Sequence, residues 1–461
     1  MSNKADVGTQ ENKMGVMPVN KLLLNMSLPM MVSMLVQALY NIVDSIFVAK
    51  LSENALTAVS LAFPLQTLLI AFGTGTGVGV NSLLSKQLGE KNMKQVSKTA
   101  MNGIFLAVMN YVLFLIVGIV GVRPFYASQI KDADPEILTL GVQYLTIVCV
   151  CSFGLYAQFI FEKLLQSTGK TLYTMISQAA GAVTNIILDP ILIFGLLGMP
   201  KLGVAGAAIA TVIGQIVGGT LGLIFNIRVN KEIVLSVKGF KPDLNTIGNI
   251  YKVGVPSIMM QAIGSVMTYG MNMILITFSS TATAVFGVYF KLQSFFFMPV
   301  FGLNNGLIPI VAYNYGAGKR SRLIKAVKCS LVYAFVLLFI GFVVFQVIPA
   351  GLLGLFEASE EMIAIGVPAL RIIGVHFLFA WFSVIAIAVF QALGSGVYSL
   401  VISVARQLVV LLPVAFILAR LGGLHAVWWA FPVAETVSIC VSSLFMVLIN
   451  KKVIRNIPDN A

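Results

Sequence analysis

The sequence predicts an all-α membrane protein with twelve transmembrane helices, arranged as two related halves of six. Three observations indicate this fold class. Of the 461 residues, 58% are hydrophobic and only 10% are charged, and the mean hydropathy is +0.94, which is far more apolar than a soluble domain. Apolar runs long enough to cross a bilayer recur along the chain. The residue pattern of the first half returns in the second half.

Glycine, proline and charged residues divide the apolar sequence into twelve predicted spans. Several exceed the roughly 20 residues that a bilayer requires, so we expect them to tilt or to project beyond it. The predicted limits are 21–50, 54–88, 93–121, 135–162, 171–197, 203–227, 246–278, 281–316, 320–348, 360–391, 397–419 and 424–449.

The basic residues indicate an orientation. If the N-terminus lies inside, the inner segments carry 22 Lys and Arg residues and the outer segments carry 5. This is the positive-inside pattern, and it predicts that both termini are cytoplasmic. The net charge of +13 therefore belongs to membrane loops and does not indicate a nucleic-acid partner. Residues 1–20 contain no signal-peptide core.

An internal repeat relates the two halves. Each half has an even number of spans, so both halves enter and leave on the same side, a common transporter plan with the substrate between the halves. We predict a tail at 1–20, lobes at 21–228 and 246–450, a linker at 229–245 and a tail at 451–461. Adding 227 to a residue number gives the same residue type in several pairs: Pro29 and Pro256, Gln66 and Gln293, Gly75 and Gly302.

Two acidic residues lie inside apolar runs of the first half. Asp44 has no basic neighbour until Lys50, and Asp189 interrupts the fifth span. A carboxylate in that setting is costly and marks an ion or substrate pathway. At 1.5 Å per residue, both acids lie roughly 9–12 Å below the outer ends of their helices, and Thr211 in the sixth span reaches about the same depth.

Other polar groups extend this cluster. Asn185 lies one helical turn from Asp189 on the same face, and Pro190 leaves a backbone carbonyl without its partner. Asp44, Asn185, Asp189 and Thr211 are therefore a predicted site for a hard cation or a proton. For Asn185 and Thr211 the alternative is that each satisfies a neighbouring helix.

The second half carries basic residues instead. Residue 44 corresponds to Met271, while Lys291, Arg371, His376 and Arg406 lie inside second-half spans, with the three cations roughly 15–20 Å deep. They could line a cavity and bind an anionic group. Equally, they could be structural cations, capped by carbonyls or paired with an acid such as Glu435. A lone histidine is commonly a satisfied hydrogen-bonding residue.

Three other features have simpler interpretations. Glu162 and Lys163 fall at a predicted cytoplasmic helix end and are expected to be solvated. The glycines from Gly73 to Gly79 indicate close helix packing, because no Lys-Ser or Lys-Thr pair follows them as in a phosphate loop. The aromatic run around Phe297 suits a cavity for apolar ligands or simple packing.

Five segments together resemble the MATE (multidrug and toxic compound extrusion) family, bacterial branch, over residues 20–450. They are Leu39 to Asp44, Asn185 to Pro190, Gly203 to Ala208, Lys291 to Phe295 with Met298 to Leu303, and Asn314 to Ala317. The resemblance implies two six-helix bundles in a V within a bacterial plasma membrane. It also implies export of amphipathic, cationic or aromatic drugs or metabolites by alternating access, coupled to Na⁺ or H⁺ as the only cofactor. It implies a monomer with no enzymatic activity.

The resemblance also assigns residues. The cation site of the family matches Asp44, Asn185, Asp189 and Thr211, with Pro29, Tyr40, Asn41 and Pro190 as supporting residues. The stretches where some members carry second-lobe acids read Gln261 to Thr268 and Arg371 to His376 here, so coupling through that lobe is not expected. A flippase or exporter of a lipid-linked or anionic substrate is the alternative. The expected substrate cavity comprises Gln37, Gln261, Lys291, Gln293, Phe297, Arg371, His376 and Arg406.

Overall fold

The computed structural model describes residues 11–129, 135–356 and 358–459, and every regular element in these ranges is helical. Ten helices are individually long and apolar enough to cross a membrane, and two bent helix pairs bring the number to twelve. The predicted all-α membrane fold is therefore confirmed. The helices are α1 Val19–Ala49, α2 Glu53–Gly89, α3 Met93–Gln129, α4 Pro135–Val150 with Phe153–Ser167, α5 Thr171–Phe194, α6 Val204–Arg228, α7 Leu244–Leu275, α8 Ser280–Gly316, α9 Arg320–Val347, α10 Glu360–Gly374 with Phe377–Ala392, α11 Gly396–Val427 and α12 Ala430–Lys452.

Helix starts repeat between the first half (α1–α6) and the second half (α7–α12). The Ser52 hydroxyl accepts the Ala55 N–H at the start of α2, and Ser279 accepts the Ala282 N–H at the start of α8. These two N-caps are 227 residues apart, which is the offset read from the sequence. A serine N-cap satisfies a backbone N–H that the first helical turn leaves unpaired.

The bends also repeat. α4 bends by 44° between its two parts, and α10 bends by 52°. Both spans were predicted as single runs ending earlier, at 162 and 391. α11 was predicted to end at 419, and its helix is interrupted close to that point by a kink at Gly423, whose φ of +65° and ψ of −162° are not helical and suit a residue without a side chain. A short helical stretch then leads to Val427.

The two halves pack closely through α1 and α2 of one and α7 and α8 of the other. A Cβ added at Gly75 would lie 2.9 Å from the Gly254 carbonyl oxygen, and one at Gly79 would collide with the Ile250 carbonyl. α2 and α7 therefore touch backbone to backbone. The close packing predicted for the glycines from Gly73 to Gly79 is confirmed.

The two described ends of the chain meet at the start of α9. Lys319 Nζ lies 2.8 Å from Glu11 Oε1, and the Ser321 N–H donates to Asp459 Oδ1 at 2.9 Å. Both ends therefore lie on one face of the molecule, which we call the terminal face. The predicted cytoplasmic location of this face stays a prediction.

Candidate functional site

The candidate site lies where α1, α5 and α6 pack together. Two glycines bring α5 and α6 into backbone contact beside it. A Cβ at Gly181 would lie 2.7 Å from the Gly214 carbonyl oxygen, and a Cβ at Gly214 would lie 2.6 Å from the Gly181 carbonyl oxygen. Asn185, one turn beyond Gly181, is therefore held directly against α6.

Three of the four predicted site residues form one hydrogen-bonded cluster. Asn185 Nδ2 donates to Asp189 Oδ1 at 3.3 Å and to Thr211 Oγ1 at 3.3 Å. Asp189 and Asn185 are both buried. The amide therefore joins the carboxylate of its own helix to the hydroxyl of α6, as the spacing of four residues and the matched depths predicted.

Asp44 completes the acidic part of the site from α1. It lies within electrostatic range of Asp189, so two carboxylates carrying full charge would repel one another. Three buried oxygens of these residues have no hydrogen-bond partner in the part of the chain that the structure describes: Asp44 Oδ1, Asp189 Oδ2 and Asn185 Oδ1. Leaving buried acceptors unpaired is costly. Oxygen acceptors of this kind suit a hard cation or a proton.

A cavity of about 50 Å³ extends from this cluster between α1, α4, α5 and α6. It has room for a few water molecules. Gln37 and Tyr40 line it from α1, and Gln178 Nε2 donates to Gln37 Oε1 at 3.4 Å. Asn185 and Thr211 of the cluster also line this cavity.

Three glutamines that line this cavity were not identified from the sequence: Gln158, Gln178 and Gln215. Two of these glutamines could have been identified from their spacing in the sequence. Gln178 precedes Asn185 by seven residues, and Gln215 follows Thr211 by four, so each shares a helix face with a predicted site residue. Gln158 belongs to α4, which carries no predicted site residue.

The predicted supporting residues lie along α1 and α5. Pro29 is inside the unbroken helix α1, and a proline there leaves the carbonyl four residues earlier without its helical N–H donor. That carbonyl belongs to Asn25, and the Thr171 hydroxyl donates to it at 3.5 Å. Pro190 lies inside α5. Tyr40 lines the cavity, whereas the Asn41 side chain is exposed.

The expectation that Glu162 and Lys163 are solvated is wrong. Their side chains are 4% and 7% exposed, because α4 continues to Ser167 and places both residues inside the protein. Glu162 Oε1 accepts a hydrogen bond from Gln158 at 2.9 Å. Lys163 Nζ donates to Asn305 Oδ1 of α8 at 3.0 Å, so this lysine connects the two halves.

In the second half, Arg406 pairs with Glu435 at 3.4 Å, and the two side chains are 23% and 4% exposed. His376 Nδ1 lies 2.6 Å from the Ile373 carbonyl oxygen, and its ring stacks on Phe297 at 5.9 Å between centroids. Both residues therefore have the structural contacts that formed the alternative interpretation. No contact of theirs among the described residues indicates a bound anion.

The two other basic residues, Lys291 and Arg371, are exposed. Arg371 Nε donates to the Gln346 carbonyl oxygen at 3.3 Å, and Lys291 Nζ lies 5.9 Å from the Phe356 ring centroid. Arg371 thus contacts a carbonyl in the last turn of α9. Lys291 makes a cation–π contact.

The remaining predicted cavity residues lie on α7 and α8. Gln261 donates to the Thr74 hydroxyl across the boundary between α7 and α2. Gln293 is half-buried, and Met271, the counterpart of Asp44, is fully buried.

Twelve helices in two repeated halves, with a buried acidic cluster inside the first half, define a multi-pass membrane transporter. The MatE family model matches residues 29–191 and, a second time, residues 256–417. The chain belongs to the MatE family.

Curated relatives and solved structures agree with this assignment. The chain is 30% identical over 420 residues to the multidrug export protein MepA of Staphylococcus haemolyticus, which covers 90% of this chain and 91% of the relative. It is 29% identical over 440 residues to MepA of Staphylococcus aureus strain MRSA252, covering 94% and 95%.

Two solved structures show the same fold. One is an outward-facing multidrug resistance MATE family transporter of the MOP superfamily, with a TM-score of 0.91, 24% identity, and coverage of 98% of this chain and 100% of that chain. The other is a MOP superfamily transporter from Pyrococcus furiosus, described as having a binding pocket of reversed polarity. It has a TM-score of 0.89, 25% identity, and coverage of 97% and 100%.

Proposed function

We propose that this transporter is a secondary antiporter that exports amphipathic, cationic or aromatic small molecules in exchange for Na⁺ or H⁺. Asp44, Asn185, Asp189 and Thr211 bind the coupling ion. The terminal face lies in the cytoplasm of a bacterial cell. The curated relatives named as multidrug export proteins support the substrate class, and the acidic cluster supports the coupling.

One observation carries the proposal: buried oxygens of Asp44, Asp189 and Asn185 have no hydrogen-bond partner among the described residues, and the last two residues belong to one hydrogen-bonded cluster against which the helix of Asp44 packs. A cation there would satisfy all three acceptors and neutralise the repulsion between the two carboxylates. A proton would neutralise one carboxylate and supply a donor to the other. Either ion stabilises an arrangement in which Asp44 lies close to Asp189.

This stabilisation can be transmitted by α1. α1 packs against α5 of its own half and against α8 of the other half, and Pro29 weakens its hydrogen bonding midway. Drawing Asp44 towards Asp189 moves the outer part of α1 towards α5. The substrate space between the halves then changes shape, so ion binding and substrate binding disfavour each other. This mutual effect is all that exchange requires.

The test uses purified protein in liposomes with a fluorescent cationic dye, and imposes a Na⁺ gradient or a pH gradient separately. Asp44→Asn and Asp189→Asn are compared with the native chain and with Glu53→Gln. Glu53 is an exposed acid in the first turn of α2, so its variant loses the same charge outside the site. We expect dye movement under one gradient, at least a tenfold loss in both aspartate variants, and native behaviour in Glu53→Gln.

If neither the Na⁺ gradient nor the pH gradient drives dye movement, the proposed antiport is contradicted. The second candidate function, transport of an anionic or lipid-linked molecule, is favoured by the exposed cations Lys291 and Arg371. Under it, the same liposomes would move a fluorescent anionic lipid between leaflets, and Arg371→Gln would slow that movement.

A further inference from the structure

Residues 11–17 form a short segment, which we call the strap, between the two halves at the terminal face. It contains the helix Lys13–Val16, which Asn12 caps by accepting the Met14 N–H at 3.0 Å. Met14 is fully buried. The strap is therefore anchored in the protein by the Met14 side chain, although Val16 is exposed.

The strap is attached to the first half by polar contacts as well as by its connection to α1. Asn12 Nδ2 donates to the Thr168 carbonyl at 3.0 Å and to Glu232 Oε1 at 3.2 Å. Lys13 Nζ donates to Asn25 Oδ1 at 2.7 Å. Asn25 is the residue whose carbonyl Pro29 leaves without a helical donor, so the strap contacts α1 at its weakened turn.

Side chains of the second half contact the strap mainly at the backbone carbonyls of the strap. Arg322 Nη2 donates to the Met14 carbonyl at 3.2 Å and to the Met17 carbonyl at 2.7 Å. Asn314 Nδ2 also donates to the Met14 carbonyl, at 3.2 Å. Lys319 Nζ donates to the Gly15 carbonyl at 3.1 Å and to Glu11 Oε1 at 2.8 Å. Charged donors from α9 and the turn before it therefore hold a segment that belongs covalently to α1.

We propose that the strap is an intramolecular clamp that holds the halves together at the terminal face and that must leave the second half before this face can open. Because the strap continues into α1, it stays with the first half when the halves separate. The contacts that break are therefore those of Asn314, Lys319 and Arg322. Each break exposes a charged donor or a carbonyl that was paired, so the clamp opposes opening.

The inference rests on the proposed alternation between two arrangements of the halves, but not on the identity of the ion or substrate. Its test is a distance measurement that needs neither transport nor ligand. Spin labels are attached at Lys94→Cys and Lys451→Cys, two exposed positions in different halves at the terminal face. The background is the full chain with its four native cysteines replaced by serine.

Three variants are compared in lipid nanodiscs. Arg322→Gln removes the donor to Met14 and Met17. Lys325→Gln loses the same charge from an exposed position on the same helix and is the matched control. Asn12→Ser keeps a capping oxygen but is too short to reach Thr168.

We expect Arg322→Gln to raise the ratio of the long to the short inter-half distance about tenfold, which corresponds to about 1.4 kcal/mol. Asn12→Ser should raise it less, and Lys325→Gln should match the native chain. A double variant that combines Asn12→Ser and Arg322→Gln should change the logarithm of this distance ratio by less than the sum of the two single changes. The reason is that both contacts act through one segment.

A native-like distance distribution in Arg322→Gln would overturn the clamp. So would a lower melting temperature with no change of distance, because a contact that only supports the fold of α9 would act in that way. The native chain could show two distances that respond to pH or Na⁺ while every variant behaves as the native chain does. That result would contradict the clamp but support the alternation between two arrangements of the halves. One unchanging distance in every sample would contradict both.

Discussion

Thr211 tests the cation site at the scale of one oxygen atom. Its hydroxyl accepts a hydrogen bond from Asn185 at 3.3 Å, and valine has nearly the same shape without the oxygen. We expect Thr211→Val to lower dye export severalfold and to raise the ion concentration needed for half-maximal transport. The loss follows from an unpaired amide beside the carboxylates and one fewer oxygen for the ion. Transport in liposomes at varied Na⁺ and pH measures both effects.

Thr184 provides the matched control for that substitution. Its hydroxyl bonds only to the Ala180 carbonyl of its own helix, at 2.8 Å, so Thr184→Val removes a hydroxyl from α5 without touching the cluster. Its transport should stay within a factor of two of the native rate. Equal losses in the two valine variants would show that Thr211 has no special part in ion binding.

Asp243 gives a pH-dependent prediction at the terminal face. Hydrogen bonds from Thr246 and Lys98 lower the pKa of its carboxyl from 3.8 to about 2. A lowered pKa stabilises the fold fully above about pH 4, and this stabilisation disappears as the pH falls towards 2. Asp243→Asn keeps a good N-cap but loses the ion pair with Lys98. Its melting temperature should lie below the native value at pH 5–8.

The same comparison at lower pH tests the cause. The two melting temperatures in detergent should converge as the pH falls from 4 towards 2, because the carboxyl of the unfolded chain then binds a proton and the stabilisation from the lowered pKa of Asp243 is lost. A difference that stays constant over this range would mean that the substitution acts through packing and not through charge.

Single site residues could be predicted from the sequence where a polar or charged side chain lies in an apolar run. Asp44 and Asp189 stand out because a carboxylate in an apolar run has few structural explanations. Glutamines do not stand out in the same way, and Gln158 was missed because the bend of α4 determines where it points. Lys163 was misplaced for a related reason, since the helix end was predicted at 162, five residues before the observed end at Ser167.

At the scale of helices, α2 and α8 cross through a reciprocal pair of glycines. A Cβ at Gly316 would collide with the Lys86 carbonyl, and one at Gly89 would collide with the Tyr313 carbonyl. Backbone atoms cannot yield as flexible side chains do. We therefore expect Gly316→Ala to destabilise the packed arrangement of the halves by about 1–3 kcal/mol, measured as a lower melting temperature and a longer distance between labels at 94 and 451.

Gly287 on the same helix is the control, because a Cβ there would meet no atom within 4 Å. Alanine favours a helix over glycine by roughly 0.5–1 kcal/mol, so Gly287→Ala should leave the distance unchanged and raise the melting temperature slightly. A similar loss in both variants would contradict the importance of the crossing point.

Helices were predictable because apolar runs and N-caps are local features. The bends in α4 and α10 were not, since neither bend has a proline between its two parts. The predicted break between residues 419 and 424 agrees with the structure, because Gly423 in this interval has a non-helical conformation.

At the scale of the whole molecule, the repeat has diverged in charge. Met271 occupies the position in the second half that corresponds to Asp44. Later in the repeat the offset is 225, which relates Gln166 to Gln391, and it places Val414 opposite Asp189. Arg406 and Glu435 form an ion pair in this half. If ion coupling belongs to the first half alone, this pair is structural. Replacing both partners by neutral residues should then leave the ion dependence of transport unchanged.

Single and double variants of the Arg406–Glu435 ion pair test whether it is structural. Glu435→Gln alone leaves Arg406 without its acid, and we expect a loss of about 1–3 kcal/mol in stability, reduced by the partial exposure of the arginine. Adding Arg406→Gln should recover most of that loss, because neither charge is then unpaired. Melting temperatures check this cycle. Dye export by the double variant should show the native dependence on Na⁺ or pH, whereas Asp189→Asn loses it. A shifted ion dependence in the double variant would place part of the coupling in the second half.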